Sequence, residues 1–340
     1  MVKVPANYLE LLADKWEPQL RDAFLRAISG ITNTAKIDTL ARLLKAGDLN
    51  GALHMLNIDP AQFNQMALVQ QQTFNEGGTL AAARIPATMT SGGYRLAVLF
   101  NVRNPRAEAW IRERSSNLIQ EIVNDQRLAV RNWLTTGLER GLNPRTVALD
   151  LVGRINPKTG MRSGGVVGLH STQEQWLANY SRDLASSDPA ALRALLDRGL
   201  RDKRFDRSVL KAIREGTGLP PDIRAKMQQA YANKALKWRG DSIAREETMK
   251  SLGAAQTEAW QQAIDDGKVE QRLITRTPVT AGDERVRRTH VEAAQMNAKG
   301  VSWGVPYNTP MGPKMSAPYE GEIMCRCHER IRISYLDTVT

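Results

Sequence analysis

Two thiols, Cys325 and Cys327, flank Arg326 and are followed at once by His328. A second imidazole, His290, closes the run Asp283-Glu-Arg-Val-Arg-Arg-Thr-His290. Thiolate sulfur and imidazole nitrogen are donors that zinc prefers, and a thiol beside an imidazole is also the start of a nucleophile pair. On a strand, Ile323, Cys325, Cys327, Ile331, Ile333 and Tyr335 share one face, with Arg326, His328, Arg330 and Arg332 on the other. The first set is apolar enough to face inward. That places the two Cβ atoms about 6–7 Å apart, beyond disulfide reach. On a helix, His290 shares the packing face with Val286, Ala293, Ala294 and Asn297, so the ring and the two sulfurs can meet. Three readings stay open. The thiols can be small buried hydrophobes beside a hydrogen-bonded histidine. The trio can hold zinc, with Asp283 or His170 as the fourth ligand. Or it can be a Cys–His nucleophile, which inward-facing alternation disfavours because a reactive thiolate needs access.

A third polar run, Asp241-Ser-Ile-Ala-Arg-Glu-Glu-Thr248, carries Arg245 and Glu247. Arg245 and Glu247 on one helix, facing Asp283, Arg285 and Arg287 on another, would lock the helix crossing through Arg–carboxylate forks. Taken in order, Ile243-Ala-Arg245, Glu247-Thr248, Asp283, Arg285-Val-Arg287, His290 and Cys325-Arg326-Cys327 resemble the phage head morphogenesis family, the minor head proteins like protein F of phage Mu. The resemblance covers roughly residues 150–335 and is strongest after residue 240. Glu246 stands where the family usually has Thr, and the Trp that often precedes the Asp is replaced by Leu273-Ile-Thr-Arg. The resemblance implies a non-enzymatic virion protein inside the capsid near the portal, made in the host cytoplasm. It implies portal and capsid partners, an oligomer, and a part in head assembly, DNA packaging or DNA ejection. The alternative is a metal- or cysteine-dependent hydrolase, a peptidase or nuclease, using His290, Cys325 and Cys327.

Charge supports a polyanionic partner. The 340 residues carry a net charge of +11, and residues 191–250 hold 15 Lys+Arg against 8 Asp+Glu. Arg204, Arg207, Lys211 and Arg214 recur at three- and four-residue spacing, which puts them on one side of a helix. Such a stripe suits the DNA backbone without base readout; a solvated face is the plainer alternative.

The rest of the chain must position these groups. Composition is that of an ordinary globular protein, 42% hydrophobic and 24% charged, and two cysteines exclude a disulfide scaffold. No apolar stretch is long enough to cross a bilayer, and the N-terminus lacks a signal core, so no membrane is expected. Residues 6–75 read as three helices, stopping at Gly30, at Gly47 and before Gly77-Gly78; His54 reads as ordinary packing. Leu96–Phe100 reads as a strand able to dock a partner. A long helix opens at Asn104-Pro105 and a shorter one at Asn143-Pro144. Residues 153–170 read as a hairpin, and Ser171 to Glu174 matches a capping box. Helices resume over 222–237 and 241–264. Strands are expected over 268–279 and 323–335, with a helix capped by Asp283 and running to Lys299 between them. The expectation is a mainly α-helical body with a small α+β C-terminal domain: 1–100 an attachment region, 101–240 the body, 241–340 the head morphogenesis domain.

Overall fold

Three-and-four apolar spacing makes helices of most of the chain, as a computed structural model shows for the described residues 4–89, 95–157, 159–315 and 323–334. In order they are α1 (Tyr8–Thr34), α2 (Ile37–Lys45), α3 (Leu49–Leu56), α4 (Asn64–Arg84), β1 (Thr88–Met89), β2 (Arg95–Leu96), α5 (Pro105–Glu139) and α6 (Pro144–Val152). Then come β3 (Arg154–Ile155), β4 (Arg162–Ser163), α7 (Ser171–Ala185), α8 (Pro189–Leu196), α9 (Asp206–Glu215) and α10 (Pro221–Asp265). The chain ends with β5 (Ile274–Val279), α11 (Arg288–Met296), β6 (Val301–Ser302) and β7 (His328–Ile333). The protein is a mainly helical body with a small α+β C-terminal part. No described helix is long and apolar enough to cross a membrane.

The chain forms two compact units. One comprises Met1–Arg21, Met66–Ser116 and Asp241–Thr340; the other comprises Asp22–Gln65 and Asn117–Gly240. Residues 241–340 fall wholly in the first, whereas 1–100 and 101–240 each contribute to both.

In the first unit Phe74 of α4 stacks on Trp110 of α5 at 4.9 Å and meets Phe100 at 5.8 Å, around buried Ala107 and Ala255. Phe100 and buried Val98 therefore belong to the chain's own core, whereas Leu99 stands out, 76% exposed. The strand expected over Leu96–Phe100 is limited to β2, paired antiparallel with β1. Gly77-Gly78 does not end α4 either; the helix continues to Arg84. A Cβ on Gly77 would come within 3.0 Å of Leu252, and one on Gly78 within 2.3 Å of the Phe100 ring. These glycines permit close approach rather than stop a helix. Behind them, β5 is the middle strand of the antiparallel sheet β6-β5-β7, with Ile274 opposite Ile333 and Arg276 opposite Ile331. Burial alternates on both long strands, so Arg276 and Glu329 face inward with Ile274 and Ile331.

In the second unit, Phe24 stacks on Phe63 at 6.5 Å, Tyr180 stacks on Tyr231 at 4.3 Å, and α2 packs on α6. The hairpin expected over 153–170 is present as β3–β4. Gly168 follows it at φ +101, where a Cβ would lie 2.5 Å from Leu236. Asp125 organises this corner: it accepts from the backbone N–H of Ser171 at 3.2 Å and pairs with buried Arg239 at 3.2 Å. Burial lowers the Arg239 pKa to about 10, with Asp125 opposing the shift.

Several boundaries differ from the sequence reading. α1 runs through Gly30, and the two helices expected over 222–264 are one, because a lone interior Gly costs only about 1 kcal/mol. The box that caps α7 lies one residue early: His170 Nδ1 accepts from Thr172 N at 3.1 Å and Gln173 Oε1 from His170 N at 3.0 Å. Asp283 closes a turn, accepting from Arg285 N at 3.0 Å, and α11 starts only at Arg288. His54 is exposed near the end of α3 rather than packed.

The glycines give a paired prediction. Nothing lies within 4 Å of a Cβ on Gly253 of α10. Gly253→Ala is expected to stabilise by about 0.5–1 kcal/mol, whereas Gly78→Ala loses about 1–3 kcal/mol to overpacking. Urea denaturation of the two variants checks the opposite signs.

Candidate metal centre

The ring of His290 lies on the inner side of α11, 3% exposed and next to buried Ala293. Residues 325–327 lead into β7, so the thiols sit in a loop end rather than on a strand. The inward parity still holds for Cys327, Glu329 and Ile331. It fails for Ile323, which is 52% exposed, and Tyr335 lies outside the described residues. The expected meeting of ring and sulfurs is present. Cys325 Sγ is 3.5 Å and Cys327 Sγ 3.6 Å from the same His290 Nδ1, and all three ligand atoms lie within 4.8 Å of one another. Cys327 N donates to Cys325 Sγ at 3.3 Å, and Val286, Ala293 and both cysteines form a small apolar cluster. The neighbouring Cys325 thiol, and then burial, push the Cys327 thiol far above its ordinary range. As a thiol it is poor material for a nucleophile. The three residues have the donor types and convergence to hold zinc.

Neither proposed fourth ligand joins them. Asp283 is engaged in its own turn, and His170 belongs to the second unit, where it caps α7. Among the described residues the trio is the one group of three or more potential ligands. Cys325, Cys327 and His328, but not His290, line a cavity of about 400 Å³ in the first unit, walled also by Phe74, Trp110, Met249 and Leu252.

The motif arginines are paired, but not with one another as expected. Arg326 makes a two-pronged contact with Glu17 of α1, Nε to Oε1 at 2.9 Å and Nη2 to Oε2 at 2.6 Å, and reaches Asp14 at 2.8 Å. Arg245 meets the same Glu17 at 3.5 Å. Glu247, 3% exposed, takes Arg114 of α5 through both carboxylate oxygens, Lys250 at 3.4 Å and Gln70 at 3.1 Å. Arg285 pairs locally with Asp283 at 3.7 Å, and Arg287 donates to the Ile323 carbonyl at 2.7 Å. The forks fail to link the two motifs because the Asp283 turn faces solvent, while α10 buries Glu247 against α4 and α5.

A second buried polar group was not singled out from sequence. Glu329 accepts from Tyr307 Oη at 2.8 Å and pairs with Arg276 at 3.7 Å, and the Arg276 guanidinium lies 4.7 Å from the Tyr307 ring centre. Strand parity carried the signal, since Glu329 falls between Cys327 and Ile331 on the inward side.

In the second unit the basic stripe is shorter than expected. Arg207, Lys211 and Arg214 are exposed on α9, but Arg204 precedes that helix in a 3-10 turn, its guanidinium held by Asp202 at 2.6–3.1 Å. Asp202 interrupts the helical spacing by capping that turn.

No protein-family model, curated protein or solved structure matches this chain.

Glu17 is only 9% exposed, so removing its main cation leaves a poorly hydrated carboxylate. Arg326→Gln is expected to cost about 2–4 kcal/mol. Glu17→Gln added to Arg326→Gln recovers part of that loss, read as coupling in a double-mutant cycle by chemical denaturation.

Proposed function

We propose that this chain is a phage minor head protein. It acts inside the capsid near the portal in head assembly and DNA packaging or ejection, and it touches the DNA backbone without base readout. The observation that carries the proposal is the convergence of its motif residues within one unit. Arg326 and Arg245 share Glu17, and the thiols on either side of Arg326 share His290. Residues from 245 to 327 that resemble the head morphogenesis pattern therefore act as a closure. The charges of Arg245, Glu247 and Arg326 are spent on internal partners, as suits a structural module rather than an active site. Portal and capsid proteins are the partners, and an oligomer around the portal is the expected state.

One feature favours a second reading. The cavity beside the thiols is of the size and character that small-molecule sites have. A metal-dependent hydrolase would place its substrate there. The engagement of Cys327 with Cys325 and its burial, which raise its pKa, weigh against the cysteine-nucleophile form of that idea.

The assembly role is tested by co-expressing the chain with portal and capsid proteins and by imaging particles made with and without it. Co-sedimentation with procapsids and added density near the portal are expected. Particles that assemble, package and eject equally well without the chain, while it stays in the free fraction, would sink the reading.

The DNA contact rests on α9. Each phosphate contact contributes about 0.9 to the slope of log affinity against log salt on duplex DNA. Changing Arg207, Lys211 and Arg214 together to Gln should flatten the slope by up to about 3. Arg204→Gln should leave it unchanged, because Asp202 already holds that guanidinium. Filter binding over a salt series reads both.

A further inference from the structure

We propose that His290, Cys325 and Cys327 bind one zinc-class divalent metal with an open fourth position, and that the adjoining 400 Å³ cavity delivers a small donor ligand to it. The inference is independent of the head-protein reading.

The distances argue first. Zinc lies about 2.3 Å from thiolate sulfur and about 2.0–2.1 Å from imidazole nitrogen. At tetrahedral angles those bond lengths separate sulfur from nitrogen by about 3.5–3.6 Å. The two sulfurs stand 3.5 and 3.6 Å from His290 Nδ1. Both nitrogen–sulfur separations thus match those across a shared tetrahedral ion, and all three donor atoms lie within 4.8 Å of one another. The amide of Cys327 donating to Cys325 Sγ is the kind of outer hydrogen bond that steadies a ligating sulfur.

The number of donors argues next. Structural zinc sites are closed by four protein ligands, whereas catalytic and exchanging sites keep one position for water or substrate. The described residues supply three. Cys325 and Cys327 are among the residues lining the cavity, with His328 beside them, and His290 is not, so the space adjoins the cysteine side of the cluster. The lining of that cavity combines apolar and aromatic residues, Phe74 and Trp110 among them, with polar and charged ones such as Thr257, Glu258, Lys250 and Glu329. It fits a small ligand with an apolar body and a single donor atom, water or hydroxide filling the position otherwise.

Cobalt substitution of the full chain tests both halves. The purified protein should take up one equivalent of Co²⁺ under anaerobic conditions, with sulfur-to-cobalt charge transfer and the strong visible bands of four-coordinate cobalt. The Cys325→Ser, Cys327→Ser double variant should lose the charge transfer. Azide should then shift the visible bands. Gly253 lines the cavity and has room for a side chain. Gly253→Phe should keep the cobalt spectrum and weaken azide by roughly tenfold or more, about 1.4 kcal/mol. Absence of thiolate charge transfer would overturn the metal site. A cobalt spectrum unmoved by saturating azide would overturn the open position, and azide binding undiminished in Gly253→Phe would overturn delivery through the cavity.

Discussion

A buried carboxylate must be answered by a cation, and Glu17 is the point at which this rule joins the ends of the first unit. Leaving such a group alone costs several kcal/mol, far more than an exposed ion pair returns. Arg326 answers it with both prongs of its guanidinium, and Arg245 approaches from α10. The contact ties α1 to the loop before β7. Once Arg326 is held on Glu17, its neighbours Cys325 and Cys327 are turned the other way, toward His290 of α11. The position of the thiols is thus set by an interaction in which sulfur takes no part. Glu247 repeats the device on the opposite side of the same helix, gathering Arg114, Lys250 and Gln70.

Close approach of backbones supplies the other half of the frame. Gly77 and Gly78 let α4 approach Leu252 and the Phe100 ring more closely than any side chain would allow. Phe74, on the same helix, then reaches Trp110 and closes one wall of the cavity. The sheet adds lining residues too, Arg276 and Glu329, which pair with each other beside Tyr307. The cavity draws its lining from both sources, with Cys325 and Cys327 among the residues that complete it.

What the sequence disclosed follows from range. The helices, the hairpin near residue 160 and the inward parity of Cys327 and Ile331 are written in local periodicity, and they stand. The meeting of His290 with both thiols also stands, because it needed only the inner faces of two neighbouring elements. Partners failed wherever they lay far along the chain. Nothing near residue 326 points to Glu17, and nothing near residue 247 points to Arg114; the obvious candidates, Asp283 and Arg285, lie close in sequence but on an exposed turn. Gly77-Gly78 was misread for the same reason. A glycine pair ends a helix or admits a neighbour, and only the neighbour, Phe100, decides which. Arg204 fell out of the basic stripe through a residue that was visible all along: Asp202 caps a turn and resets the helical phase.

A divalent ion held by two thiolates leaves no net charge, which suits the apolar shell of Val286 and Ala293. The loop can keep one geometry with or without metal, since Arg326 holds it from outside the cluster. A site built this way does not need the ion to fold. It presents two sulfurs and a nitrogen at the spacing a tetrahedral ion requires, and ordering these donors in advance removes much of the entropic cost of binding. Closure of the module and capture of a metal are then separable properties of the same few residues. The arginine sustains the first, and the sulfurs remain available for the second.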